Sequence, residues 1–148
     1  MNIQEFVPKQ EVQCICQELG IQDWTELSTA PLPLEEVKII QNAVGGESLQ
    51  VSASMFKQGL EVELEHGIRF PDANVTNNHP ILTGMIVLAH LKEMLDYYFR
   101  LEVAELEGDL LKALKAGNTD KVSRLYRKLL IAKSELSDQV KYSLDNND

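Results

Sequence analysis

A chain of 148 residues with 44% hydrophobic content, 5 prolines and 8 glycines is long enough to bury a core and has the composition of a folded protein. Its formal charge is −9; of its 23 acids and 14 bases, residues 101–148 hold 9 and 8, which leaves 14 and 6 in the first hundred residues. That field repels phosphate backbones and anionic lipid, no apolar run approaches the ~20 residues of a membrane span, and "MNIQEFVPKQ" lacks the order of a secretory signal, so neither nucleic acid nor membrane is expected as a partner and a cytoplasmic location is.

Pro8 is placed to open a first helix, carried by Val12, Ile15, Cys16 and Leu19 at helical spacing and closed by Gly20. Cys14 and Cys16 point about 200° apart on it, so they are expected as packed, reduced thiols. A connector follows, with Trp24 as its anchor, and then a second helix, "LEEVKIIQNAV", stopped by Gly45 and Gly46. Ser52 or Ser54 caps a third helix that runs to His66 and ends at Gly67. Residues 68–79, "IRFPDANVTNNH", read as a long loop in which His79 faces solvent.

Pro80 starts the dominant element. No proline interrupts Ile81 to Ala116, so one long helix or two collinear ones are expected. "AGNTD" supplies a helix-ending Gly117 and a cap at Asn118 or Thr119. The last helix repeats Val122, Leu125, Leu129, Ala132, Leu136 and Val140, matching Val103, Leu106, Leu110 and Leu114 on the arm before it. Lys121, Arg124, Arg127, Lys128 and Lys133 can answer Glu102, Glu105, Glu107 and Asp109 across the pair. The polar tail "DNND" is expected to fray. The fold predicted is all-α, a helical bundle with a long central helix and a C-terminal antiparallel hairpin, divided into a core domain of residues 1–103 and a hairpin extension of residues 104–148.

Two short stretches carry the chemistry. "ELEH" (63–66) and "HLKE" (90–93) each set a carboxylate and an imidazole three apart. Phe56, Gly59, Leu60, Glu63 and His66 share a face of the third helix, and Leu82, Ile86, Ala89, His90, Glu93 and Tyr97 share one of the long helix, which turns Glu63 and Glu93 toward the core. Facing helices would then bring Glu63 level with Glu93 and His66 level with His90. Two uses are open. Glu63, His66, His90 and Glu93 could hold a single divalent ion such as zinc, iron or manganese, but the six ligands of a di-metal carboxylate bundle are lacking, with only Glu61, Glu65 and Asp96 nearby. Alternatively the four satisfy one another, the Tyr97 and Tyr98 hydroxyls and the loop amides, because an unpaired buried carboxylate costs several kcal/mol. Cohesion is the reading preferred. No phosphate-binding glycine loop, serine elbow or Cys/His pair supports an enzyme, so no catalytic residue and no organic cofactor is expected.

"GLEVELEHG" (59–67), "NVTNNHP" (74–80), "TGMIVLAHLKE" (83–93) and "DYYFRL" (96–101) together resemble the signature of a small uncharacterised family of helical domains, found in bacteria and commonly encoded by tailed bacteriophages. The resemblance covers about residues 10–103. Relatives carry "DDP" where this chain has "NHP" and a proline where Leu95 stands; losing the acids weakens cation binding by the loop, and losing the proline favours an unbroken long helix. The function expected is that of a non-catalytic structural, assembly or protein-interaction protein, plausibly phage-encoded and a virion component. Its hairpin would dock on a protein partner or on its own copies. A small metal-binding helical protein is the alternative.

Overall fold

A computed structural model describes residues 7–146, and among these it holds six α-helices and no strand. They are α1 (Lys9–Leu19), α2 (Leu34–Val44), α3 (Ala53–Arg69), α4 (Pro80–Glu93), α5 (Tyr97–Lys115) and α6 (Thr119–Asn146), with short 3-10 turns at Trp24–Glu26 and Gly46–Gln50. The chain divides into two compact units, the first ending at Lys92 and the second beginning at Glu93.

In the first unit the expected punctuation does its work. Pro8 and Pro33 precede α1 and α2 in extended conformation, where a missing N–H costs nothing. Gly20 adopts φ 67°, and the Gly20 and Ile21 N–H groups donate to the carbonyls of Gln17 and Cys16, closing α1 with paired bonds that a β-carbon would strain. Ser52 caps α3 by accepting from the Met55 N–H. Val12, Trp24, Val37, Ile40, Phe56, Leu60 and Leu64 are fully buried, each contributing roughly 1.5–3 kcal/mol or more by leaving water. The indole N–H of Trp24 donates to Glu36 Oε1 at 2.6 Å, so the expected anchor is also a buried polar lock. Gly84 lies where α4 is crossed: a β-carbon there would stand 2.7 Å from Val44 Cγ2 and 3.3 Å from Phe56 Cζ.

Four expectations need correction here. Cys16 is buried but Cys14 is exposed, its thiol donating to Glu18 on the next turn; both are free. The third helix does not stop at Gly67 but continues to Arg69, because Gly67 keeps a helical backbone and serves close packing instead. His79 is buried, not solvent-facing, and its Nδ1 accepts from the Leu82 N–H at 3.4 Å, capping α4 with an imidazole. Of the two forms open for the stretch after Pro80, the unbroken helix favoured by the missing proline at Leu95 is not the one found: two helices are separated at Met94–Asp96. There the Asp96 carboxylate takes two bonds from the Arg100 guanidinium, at 2.9 and 2.6 Å, while the Arg100 N–H donates to the Asp96 carbonyl, so Asp96 starts a helix and does not continue one.

The second unit is the helical hairpin. Gly117, at φ 65°, and Asn118 close α5 by donating to the carbonyls of Leu114 and Ala113, and Asn118 Oδ1 then caps α6 by accepting from the Lys121 N–H. The expected stripe on α6 is buried or half-buried throughout; on α5, Val103, Leu106 and Leu110 are half-buried, Ala113 is buried and Leu114 is exposed. Of the expected cross-helix pairs, Lys133 and Glu107 meet at 2.7 Å. In the tail, α6 continues to Asn146, and Asn147 and Asp148 lie outside the described residues.

Candidate functional site

Around the end of α3 the first unit forms a pocket of about 240 Å³, walled by α3 (Glu63, His66, Gly67), the loop that follows (Phe70, Ala73, Asn74, Val75, Thr76) and the start of α4 (Thr83, Ile86). The loop is held to the helix by side chains of "NVTNN". Asn74 Nδ2 donates to the Gly67 carbonyl at 3.2 Å and to Asn78 Oδ1 at 2.8 Å, and Asn74 Oδ1 accepts from the Asn78 N–H and the Thr76 hydroxyl. Asn77 and Asn78 adopt φ 49° and 59°, which asparagine tolerates better than most residues. A β-carbon on Gly67 would stand 1.9 Å from Asn78 Oδ1, so the glycine is what lets the loop lie on α3. The Asn77 amide also donates to the Val7 carbonyl, and the Val7 N–H to that of Val75, fastening the chain before α1 to the same loop.

Of the four side chains read as a cluster, Glu63 and His66 line this pocket, and His90 reaches Glu63 from α4, with Nε2 3.6 Å from Oε1. The pairing thus runs acid to imidazole across α3 and α4. Glu93 is exposed. The reason lies in the face of α4: its buried positions are Pro80, Thr83, Gly84, Val87 and Leu91, a stripe turned one residue, about 100°, from the one chosen by pattern. Nor are Glu63 and His66 in the core stripe of α3, which is Phe56, Gly59, Leu60 and Leu64; they flank it, half-buried. Among the described residues, no group of three or more His, Cys, Asp or Glu side chains is placed to hold a metal ion.

Sequence reasoning missed the polar members of the wall. Thr83, 3% exposed, has no part in the sequence reading, and Asn74 and Thr76 enter it only as members of the loop. Their signal was the density of Asn and Thr between two helices, more than a turn requires. It missed Glu36 as well, which balances the Trp24 indole and accepts from Gln22. Beside the pocket, burial holds the His79 imidazole below its ordinary pKa, against an opposing pull from Glu11.

Residues 12–107 match a family described as a protein of unknown function (DUF5661), and the chain belongs to that family. No curated protein and no solved structure matches the chain. Three of the four stretches that carried the resemblance, 59–67, 74–80 and 83–93, supply eight of the ten residues around the pocket. Among the described residues, no helix is long and apolar enough to cross a membrane.

Proposed function

We propose that the protein is a non-catalytic assembly protein whose α5–α6 hairpin docks on a second copy of itself. The observation that carries this reading is a set of large apolar side chains left in solvent beside the hairpin seam. Leu111 and Leu114 lie three apart on α5, Tyr126 and Leu130 four apart on α6, and each is more than half exposed. With a 100° step per residue and antiparallel arms, both pairs fall on the same side of the seam. A two-helix hairpin buries only one stripe of each arm; a second hairpin laid on this side would complete a four-helix arrangement. Charge favours a like partner, because residues 101–148 are close to neutral while the acidic excess lies in the first hundred residues. The resemblance to phage-encoded chains supports particle assembly as the setting, which mass spectrometry of purified particles would test.

Sedimentation velocity over a range of concentrations tests the docking. The wild-type chain is expected to dimerise, and Leu130→Glu to remain monomeric with an unchanged helical circular dichroism spectrum. A wild-type chain that stays monomeric at millimolar concentration would refute the reading. The alternative, a single divalent ion at Glu63, His66 and His90, draws its support from the approach of His90 to Glu63. Stoichiometric metal in protein purified without chelators, lost in His90→Ala, would establish it.

A further inference from the structure

We infer that the pocket in the first unit binds a small neutral organic molecule, an apolar body carrying a single hydroxyl group, and that the Thr83 side chain receives that hydroxyl. Thr83 is 3% exposed and lines the pocket, yet among the described residues its own hydroxyl has no hydrogen-bond partner. Ser48, equally deep in the first unit, instead meets the carbonyl oxygens of Gln41 and Gly45. No sealed side-chain polar atom among the described residues lacks a partner, so the Thr83 oxygen is not sealed and opens on the pocket. A hydroxyl set this deep has lost most of its hydration and gains nothing from the protein in return. A guest that bonds to it restores the missing contact.

The other polar groups of the wall are already engaged. Glu63, its side chain 17% exposed, lies against His90 with 3.6 Å between Oε1 and Nε2, and both Glu63 and His66 have further contacts within the protein. An anion would be repelled by the Glu63 carboxylate, and a cation would find that carboxylate taken. Either ion would give up hydration without a charged partner in exchange, a cost that a neutral guest avoids. The Asn74 amide is held by Gly67, Asn78 and Thr76, which fixes the loop wall before a guest arrives, so little ordering accompanies binding. What is left to a guest is the apolar surface of Phe70, Val75 and Ile86 and the Thr83 hydroxyl. Size sets the remaining limit: about 240 Å³ exceeds the ~150 Å³ of a cavity that takes benzene and falls short of the ~300 Å³ where drug-sized sites begin, room for roughly one six-membered ring with a short substituent.

Benzyl alcohol is a suitable probe, with toluene as its counterpart lacking the hydroxyl and benzylammonium and benzoate as its charged counterparts. Titration of the full chain, followed by amide NMR at Gly67, Asn74, Thr76 and Thr83, is expected to show saturable shifts with benzyl alcohol. Toluene should bind about fivefold more weakly, the worth of one net hydrogen bond, and each ion weaker than the alcohol by roughly fivefold or more. Thr83→Val removes the hydroxyl at nearly constant size; it should bring benzyl alcohol down to the level of toluene and leave toluene unchanged, with the fluorescence of buried Trp24 reporting that the first unit is still folded. Thr83→Ser, which keeps the hydroxyl, should keep the preference for the alcohol, and Ile86→Phe, which fills the pocket, should abolish binding of both. Absence of any saturable shift, equal affinity for benzyl alcohol and toluene, a preference that survives in Thr83→Val, or either ion binding as tightly as the alcohol would overturn the assignment.

Discussion

Replacing Gly67 by alanine sets two physical effects of opposite sign against each other. In an ordinary helix interior the change gains about 0.5–1 kcal/mol from lost chain entropy and better propensity. At Gly67 the added methyl would stand 1.9 Å from Asn78 Oδ1 and 2.8 Å from Asn74 Nδ2, so both side chains must swing away. That breaks the Asn74–Asn78 bond and those from Asn74 Nδ2 to the Gly67 carbonyl and from the Asn78 N–H to Asn74 Oδ1. At about 1 kcal/mol each, with left-handed Asn77 and Asn78 then losing their support, the loss outweighs the gain and leaves a net destabilisation of about 2–2.5 kcal/mol. Gly108 is the internal control: it is exposed in the middle of α5 with nothing within 4 Å of a built β-carbon, so Gly108→Ala should stabilise by ~0.5–1 kcal/mol. Urea unfolding reports on both. Trp24, the one tryptophan of the chain and buried in the first unit, follows Gly67→Ala by fluorescence, and circular dichroism follows Gly108→Ala. If Gly67→Ala were as stable as wild type or more so, the account of the loop as pinned through Gly67 would be wrong.

Further outcomes follow from the same contacts. Gly84→Ala places a methyl 2.7 Å from Val44 and 3.3 Å from Phe56, and should cost about 1–3 kcal/mol by overpacking, with a matching shift in the Trp24 transition. His79 has its pKa lowered by burial, so the unfolded chain binds the proton more readily than the folded one; stability is full above the ordinary value of ~6.5 and is lost as pH falls through it. Protonation also removes the Nδ1 acceptor that caps α4. His79→Asn keeps a capping oxygen without the titration, so its unfolding midpoint should vary less between pH 7 and 5. Glu102 is shifted the other way, raised by desolvation first and then by Glu135 and Glu105, with Lys128 opposing. The folded hairpin holds that proton more tightly, so its stability falls as pH rises from the ordinary carboxylate range through the raised value. Glu102→Gln should raise the neutral-pH melting temperature and flatten its pH dependence.

Much of the fold was legible because helix ends are written in local chemistry. Pro8, Gly20, Ser52, Gly117 and Asn118 each act at the boundary where their backbone preferences place them, and the α6 stripe faces the seam as its spacing requires. The failures also have local causes. Gly67 resembles a helix stop as much as a packing glycine, and only the Asn74 and Asn78 side chains, seven and eleven residues away, decide between them. His79 before Pro80 looks like an exposed loop residue until its imidazole is seen to replace the serine or aspartate of an ordinary cap. The break at Asp96 has neither proline nor glycine, and it depends on a bidentate contact with Arg100 that two alternative backbones could have offered.

The candidate site was half legible, and the reason is the composition of α4. "PILTGMIVLAHL" is apolar around most of its circumference, so a periodic pattern fits several faces nearly equally well. The face bearing His90 and Glu93 fits the spacing, but the buried one is set by what α2 and α3 can accept: Gly84 against Val44, Ile40 and Phe56 permits an approach that no larger residue allows. A turn of one residue then sends Glu93 to solvent while leaving His90 at the margin, near enough to touch Glu63. A carboxylate paired with one imidazole at the edge of a partly apolar pocket is a different object from two carboxylates and two imidazoles in a core. The first keeps both groups partly in solvent, whereas the second must either bind metal or satisfy itself internally. The distinction rests on which side of Gly84 meets α2, and for that reason substitutions at Gly84 should disturb the pocket at Glu63 even though the two residues do not share a wall.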